Sequence, residues 1–213
     1  MPDDLEKVEK RYDRWSRFYD LVDSAPLISG RQKEWKRMAV EDLEPRKGHR
    51  ILDIGTGSGE ILPMIAEKEP EAEIIGVDIS SKMLEVAAER TDGYENIKLV
   101  RQDVSSLSFQ DGHFDSAIAS FAMTTFPDPF GALKEAARVV KPGGKIVILD
   151  TGKPEKGAAK ITHGLMTPVA KLFGRTHIDR DIERTAARVH GIRKIKERRH
   201  YGGMVYCMVW EKE

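Results

Sequence analysis

A short apolar stretch followed by three alternating glycines constrains this chain more than any other feature. The stretch RILDI (residues 50–54) has the length and composition of a buried strand, and Gly55, Gly57 and Gly59 follow it directly. A helical pattern, EILPMIAEKE (60–69), begins after them. Because glycine tolerates positive φ and lacks a Cβ, the segment predicts a tight strand-to-helix turn whose backbone a ligand can approach closely.

Strands and helices alternate along the rest of the central region. The predicted strands are AEIIGVDI (72–79), NIKLVRQD (96–103), FDSAIAS (114–120) and KIVILD (145–150); the predicted helices are SSKMLEVAAER (80–90) and DPFGALKEAARVVKPGG (128–144). In the second of these helices, Asp128 is the expected cap and Gly143 the expected end. This order predicts an α/β fold, a Rossmann-like doubly wound and mostly parallel sheet with helices on both faces.

The two ends of the chain carry different patterns. Apolar residues at helical spacing predict an N-terminal helix (Leu5, Val8, Tyr12, Trp15, Tyr19, Val22), and a second helix is predicted over residues 31–43. Near the C-terminus we expect a helix over 158–173 and two antiparallel strands, 192–200 and 204–211, joined at Gly202-Gly203 at the sheet edge. Residues 1–213 thus form one predicted domain, with a helical lid (1–45), a ligand-binding core (46–152) and an acceptor-side segment with the final strands (153–213).

Composition excludes several classes of protein. The 213 residues carry no net charge and contain one cysteine, Cys207. A disulfide framework or a cysteine-based metal site is therefore not expected. The N-terminus has no apolar signal region, and no apolar run reaches the roughly 18–20 residues that cross a bilayer. We therefore expect a cytoplasmic protein.

Acidic residues stand at three successive strand ends, namely Asp53, Asp78 and Asp103. In an open parallel sheet these ends meet at one edge, where ligands bind. An acidic residue at Asp78 can accept both hydroxyls of a ribose, and Asp103-Val104 would then lie near the adenine. A dinucleotide site needs a glycine where Glu60 stands, and this carboxylate would repel a pyrophosphate. The acidity instead suits the ammonium and sulfonium of S-adenosylmethionine, with a nicotinamide cofactor as the alternative.

Four motifs together resemble the class I S-adenosylmethionine-dependent methyltransferases: LDIGTGSGE, IIGVDIS, QDV and RVVKPGGKIVILD. YDRWSRFYD and LDTGKP resemble the ubiquinone/menaquinone C-methyltransferases and the related bacterial phosphatidylethanolamine N-methyltransferases. The resemblance implies cofactor contacts at Ser58, Asp78, Asp103, Val104 and Ser120. With the glycine turn and its neighbours, the predicted cofactor-binding set is Tyr12, Tyr19, Asp53, Gly55, Gly57, Ser58, Gly59, Asp78, Ile79, Met83, Asp103, Val104 and Ser120.

The acceptor is less constrained than the cofactor. SFAMTTFPDP follows the fourth strand, where amino-methylating enzymes of nucleic acids carry an Asn/Asp-Pro-Pro-aromatic motif, so we expect no nucleic acid partner. We expect a small, amphiphilic acceptor, first a phospholipid amine, with a quinol or another small molecule as the alternative. A catalytically silent nucleoside-binding module is the alternative from another class. The apolar residues of this loop (Phe121, Met123, Phe126, Phe130) form either plain packing or an acceptor pocket.

A base is needed only for some acceptors. Tyr19 is the candidate, because its motif in related enzymes lies over the cofactor as a lid. His163 and His177 are weaker candidates, since ordinary surface or helix-end histidines explain them better. The N-terminal helix has a basic flank that is compatible with peripheral membrane contact, but its many acids favour a lid. The basic run IRKIKERRH (192–200) suits either lipid phosphates or an exposed edge strand. The oligomeric state is left open.

Overall fold

The computed structural model describes residues 26–154 and 180–213, with side chains from residue 31 onward. Several predictions therefore lie outside the described residues: the N-terminal helix with Tyr12 and Tyr19, the helix over 158–173, and both His163 and His177. The described helices are α1 (Pro26–Leu43), α2 (Leu62–Lys68), α3 (Ser81–Arg90), α4 (Pro129–Val139) and α5 (Ile182–Ala186). The strands are β1 (Arg50–Ile54), β2 (Glu73–Asp78), β3 (Ile97–Arg101), β4 (Phe114–Ser120), β5 (Val140–Thr151), β6 (Ile192–His200) and β7 (Val205–Lys212).

The described strands form one seven-stranded sheet in the order β3-β2-β1-β4-β5-β7-β6. Strands β1 to β5 are parallel, whereas β7 runs antiparallel to both of its neighbours. The chain order reverses between β1 and β4, so the crevice at their carboxyl ends is the ligand-binding position of such a sheet. The Rossmann-like, mostly parallel fold with antiparallel C-terminal strands is confirmed.

Two apolar clusters cover the two faces of the sheet. Alternate strand residues point to opposite faces: Ile51, Ile74 and Ile118 pack in the cluster with α1 and α2, while Leu52 and Ala117 pack in the cluster with α4 and α5. Burial on both faces explains why the central strands are apolar almost throughout. No helix of the described residues is both long and apolar enough to cross a membrane.

Helix α4 ends earlier than the sequence indicated. It stops at Val139, and Val140 is already extended at φ −86° and ψ 139°. The expected end at Gly143 was wrong for two reasons: Val140 pairs with Phe114 on β4, and Lys141 precedes a proline, which disfavours helical backbone. Helix α1 is longer than the predicted helix over residues 31–43, since it begins at Pro26 and continues through Gly30. Helix α5 was not anticipated.

The C-terminal hairpin was predicted correctly, with a turn at Tyr201–Gly203 joining β6 and β7. Its basic strand is held to the body of the protein by buried Asp42 of α1. The Asp42 carboxylate accepts hydrogen bonds from Lys196 at 2.6 Å and Arg198 at 2.9 Å. These pairs support the edge-strand interpretation of IRKIKERRH rather than lipid docking, because two of its cations already share a carboxylate within the chain.

Candidate active site

The three glycines form the tight turn between β1 and α2. Their φ angles are +70° for Gly55, +54° for Gly57 and +74° for Gly59, all in the left-handed region. The turn is closed by backbone hydrogen bonds of 2.9 Å from Thr56 to the Val77 carbonyl and from Gly59 to the Thr56 carbonyl. Residues with a Cβ would be strained at all three glycine positions.

The atoms that lie closest to the glycines of this turn belong to the protein itself. A Cβ at Gly55 would lie 2.6 Å from the Phe126 ring, and a Cβ at Gly59 would lie 2.9 Å from the Cβ of Ala87 in α3. At Gly57 the nearest atom is the methyl of Met83, at 3.3 Å. The expectation that the glycines make room for a ligand is therefore incomplete, since Gly55 and Gly59 first make room for Phe126 and α3.

Replacing Gly59 should destabilise the fold more than φ strain alone. Gly59→Ala combines left-handed strain of about 1–2 kcal/mol with overpacking of about 1–3 kcal/mol against α3. Gly48→Ala is the matched control, because Gly48 has the same φ of +74° and nothing within 4 Å of a Cβ. Urea unfolding should show a loss of about 2–5 kcal/mol for Gly59→Ala and about 1–2 kcal/mol for Gly48→Ala. Equal losses would mean that α3 packing does not require this glycine.

Asp53 lies at the carboxyl end of β1 and is 1% exposed. Its carboxylate accepts a hydrogen bond from the Thr56 hydroxyl at 2.6 Å. The pKa of Asp53 is raised to about 7, chiefly by burial and also by nearby Asp78, while the Thr56 hydrogen bond and Lys36 act against the shift. A ligand cation beside this carboxyl would therefore favour its ionised form.

Asp78 ties the turn after β1 to the turn after β2. One carboxylate oxygen accepts the Gly57 N–H and the other accepts the Ser80 N–H, each at 2.9 Å. Burial raises the pKa of Asp78, although these backbone N–H groups act against that shift. The Ile79 N–H also acts on this carboxylate, and a carboxylate has about four acceptor sites, so a site remains for a ribose hydroxyl and the proposed cofactor role is compatible with the observed bonds.

The other predicted residues that the structure describes make separate contacts near the strand ends. Asp103 accepts hydrogen bonds from the Ser105 N–H at 2.9 Å and from its hydroxyl at 2.8 Å, in a local turn after β3. Val104 packs against the core, and buried Met83 lies beside the glycine turn. Ser58 is buried, and its carbonyl accepts a hydrogen bond from Arg90. The Ile79 carbonyl accepts one from Arg101 at 3.0 Å.

The end of β4 offers an unused hydroxyl. Ser120 Oγ is buried and has no hydrogen-bond partner among the described residues. The next residue, Phe121, has a φ of +53° and donates its N–H to the Leu149 carbonyl at 2.6 Å. Left-handed backbone at a bulky residue is uncommon and is found preferentially at functional sites. Together these features fit a ligand group at Ser120.

Two charged residues near the site were missed by sequence reasoning. Lys36 extends from α1 and pairs with Glu60, directly after the glycine turn. A local sequence pattern does not indicate this contact. Asp150, at the end of β5, is buried and accepts hydrogen bonds from the Thr124 N–H at 3.0 Å and its hydroxyl at 2.8 Å. The rule that found Asp53 and Asp78, an acid at a strand end, would also have found Asp150.

The structure thus brings the turns after β1, β2 and β4 together around one crevice. Buried Asp53 and partly buried Asp78 lie at this edge of the sheet, together with Lys36 and with the Ser120 hydroxyl, which has no partner among the described residues. Carboxyls suit an ammonium and a ribose, so this donor set fits S-adenosylmethionine. Tyr12 and Tyr19 remain predictions, because both precede the described residues.

Comparisons with known proteins agree with this fit. A family model described as the ubiE/COQ5 methyltransferase family matches residues 3–205. Demethylmenaquinone methyltransferase of Staphylococcus aureus is 36% identical over 173 residues, which are 80% of this chain and 71% of that protein.

Solved structures give the same picture. The YcgJ protein of Bacillus subtilis has a TM-score of 0.64 at 26% identity and covers 79% of this chain and 73% of its own. An S-adenosylmethionine-dependent methyltransferase of Aquifex aeolicus shares the fold with a TM-score of 0.61 at 18% identity, over 99% of both chains. This chain is an S-adenosylmethionine-dependent methyltransferase and belongs to the ubiE/COQ5 methyltransferase family.

Proposed function

We propose that the chain methylates a ring carbon of a quinol of the demethylmenaquinone type. The observation that carries this proposal is the similarity to demethylmenaquinone methyltransferase, which extends over four-fifths of the chain at 36% identity. The family match over residues 3–205 supports the same acceptor class. Of the two acceptors expected from the sequence, these findings favour the quinol over the phospholipid amine.

The bound cofactor supplies an electrophilic methyl group, and the protein must then hold the acceptor carbon in line with it. In this proposal Asp53 binds the ammonium of the cofactor, Asp78 its ribose hydroxyls and Ser120 Oγ a further polar group. Asp103 and Val104 border the adenine. Holding the cofactor at both ends fixes the position of the methyl group relative to the sheet edge.

A quinol ring carbon becomes nucleophilic when a ring hydroxyl loses its proton, so this acceptor requires a base. We propose that Tyr19 orients or deprotonates the acceptor, because its motif lies over the cofactor as a lid in the enzymes that it resembles. The apolar loop after β4 divides into two groups. Met123 and Phe126 are buried in the core, and partly buried Phe130 packs against the same cluster with the Arg188 guanidinium over its ring. Partly buried Phe121, in the cluster of the other face, is left to contact an apolar acceptor.

An acceptor assay tests the proposal directly. The protein is incubated without oxygen with methyl-labelled S-adenosylmethionine and with either demethylmenaquinol or phosphatidylethanolamine in detergent micelles, and the products are analysed by mass spectrometry. We expect label in the quinol. The oxidised quinone serves as the matched control and should remain unlabelled, because it has no ring hydroxyl to deprotonate.

Label in the phospholipid amine, with none in the quinol, would replace the proposed acceptor by the phospholipid.

Peripheral membrane contact through the N-terminal segment also stays a prediction. Flotation with liposomes tests it, since electrostatic contact should strengthen with anionic lipid and weaken with salt.

A further inference from the structure

Lys36 is a buried cation beside the end of the glycine turn. It lies on α1 and is 7% exposed. Its ammonium pairs with the carboxylate of Glu60, the residue directly after the glycine turn. The same nitrogen lies 5.8 Å from the centre of the Phe121 ring, just after β4. Lys36 therefore contacts residues that follow both β1 and β4, the two strands that flank the point where the strand order reverses.

The charges of the crevice leave one part of the cofactor unmatched. S-adenosylmethionine carries a carboxylate as well as an ammonium and a sulfonium. Three carboxyls, Asp53, Asp78 and Asp103, lie at or just after strand ends, and they would repel that carboxylate. Arg90 touches the turn from α3, but its guanidinium donates to the Ser58 carbonyl. Among the residues that the structure describes, Lys36 is a cation that contacts both Glu60, directly after the turn, and Phe121, directly after β4.

We propose that Lys36 binds the carboxylate of the methionine moiety of the cofactor. An ammonium has three N–H donors, so the bond to Glu60 leaves donors for the ligand. Glu60 is then a positioning residue, because its charge offsets the cost of burying a cation in the ligand-free protein. In this arrangement the ammonium of the ligand lies beside Asp53, and the charge of Lys36 lowers the pKa of that carboxyl. The two ends of the amino-acid group are thus recognised by opposite charges.

The proposal rests on the cofactor and not on the identity of the acceptor. A negative quinol assay would leave it standing, and its own failure would leave the acceptor question open. It also assigns a purpose to a helix, α1, that the sequence placed in the lid rather than in the cofactor-binding core.

Binding of two ligands separates this role from a structural one. S-adenosylhomocysteine contains the amino-acid group, whereas methylthioadenosine keeps the nucleoside and the sulfur but lacks it. By calorimetry, Lys36→Met should weaken S-adenosylhomocysteine binding by about 10- to 100-fold, as expected for a lost charge-assisted hydrogen bond. Methylthioadenosine binding should change less than about twofold, because that ligand never touched Lys36.

Lys98→Met is the matched control, since it breaks an exposed lysine–glutamate pair of 2.7 Å with Glu73, away from the glycine turn. Both ligands should bind it as they bind the parent protein. Lys36→Arg keeps the charge and should retain most of the S-adenosylhomocysteine affinity. Equal losses for both ligands in a folded Lys36→Met protein, or no loss for either, would overturn the proposal.

The unsubstituted protein offers a measurement that does not depend on the variant folding. S-adenosylhomocysteine should bind it more tightly than the decarboxylated analogue, by the same factor as the loss in Lys36→Met. An analogue without the carboxylate that binds equally well would also overturn the role of Lys36.

Discussion

Asp78→Asn should weaken S-adenosylhomocysteine binding by about 100-fold, as expected when the contact with the ribose loses its charged acceptor. The change also affects the turns that Asp78 joins. Both of its oxygens accept backbone N–H groups, but an amide has only one oxygen, so its NH₂ must face either Gly57 or Ser80. That mismatch should lower the free energy of unfolding by about 1–3 kcal/mol. Calorimetry measures the first effect and urea unfolding the second.

Asp92→Asn provides the control, because Asp92 is exposed on the loop after α3 and the change is chemically the same. Neither affinity nor stability should move beyond about 0.5 kcal/mol for that variant. Should Asp78→Asn lose stability but keep its affinity, Asp78 would hold the two turns together without contacting the ribose.

The part of the site that sequence could predict is the part fixed by strand ends. Asp53 and Asp78 lie at the carboxyl ends of their strands, and parallel strands of similar length present these ends at one edge. The register confirms the alignment, with Asp53 opposite Gly76 on β2 and opposite Ile118 on β4. Local apolar pattern was enough here because strand, turn and helix follow one another within a few residues.

Features set by distant contacts escaped prediction. Helix α4 was extended too far because its own sequence continues the helical pattern, whereas the sheet recruits Val140 as a partner for Phe114. The glycines at 55 and 59 were linked to a ligand, although Phe126 and Ala87 occupy the space beside them. Lys36 and Glu60 meet across 24 positions of chain. None of these contacts leaves a periodic trace in the sequence.

The division into lid, core and acceptor side remains a proposal, and α1 shows why its first boundary matters. Residues 31–43 were grouped with the lid, yet Ala39, Val40 and Leu43 are buried in the core cluster beneath the sheet. Asp42 of the same helix pairs with Lys196 and Arg198 of β6. A helix held at both the core and the edge strand is a fixed support, and Lys36 projects from it toward the crevice.

The affinity for S-adenosylhomocysteine should rise with pH between about pH 5 and pH 7, by up to tenfold per unit. In the ligand-free protein the pKa of Asp53 is raised to about 7 from an ordinary 3.8, so the carboxyl is mostly protonated at the lower end of this range. The ammonium of the ligand favours the ionised carboxyl, and binding therefore releases a proton. Above about pH 7 the carboxyl is already ionised, and the slope should flatten. Calorimetry over this range measures it.

The free energy of unfolding of the ligand-free protein should instead fall as the pH rises. Because the folded pKa of Asp53 lies above the unfolded value, its contribution to stability is complete below about pH 4 and is lost as the pH rises through 7. The raised pKa of Asp78 acts in the same direction, while Thr56 and Lys36 moderate the shift at Asp53. Asp53→Asn cannot ionise, so both slopes should be reduced in that variant. If Asp53→Asn kept the full pH dependence of binding, another group would have to release the proton, and the contact between Asp53 and the ligand ammonium would be ruled out.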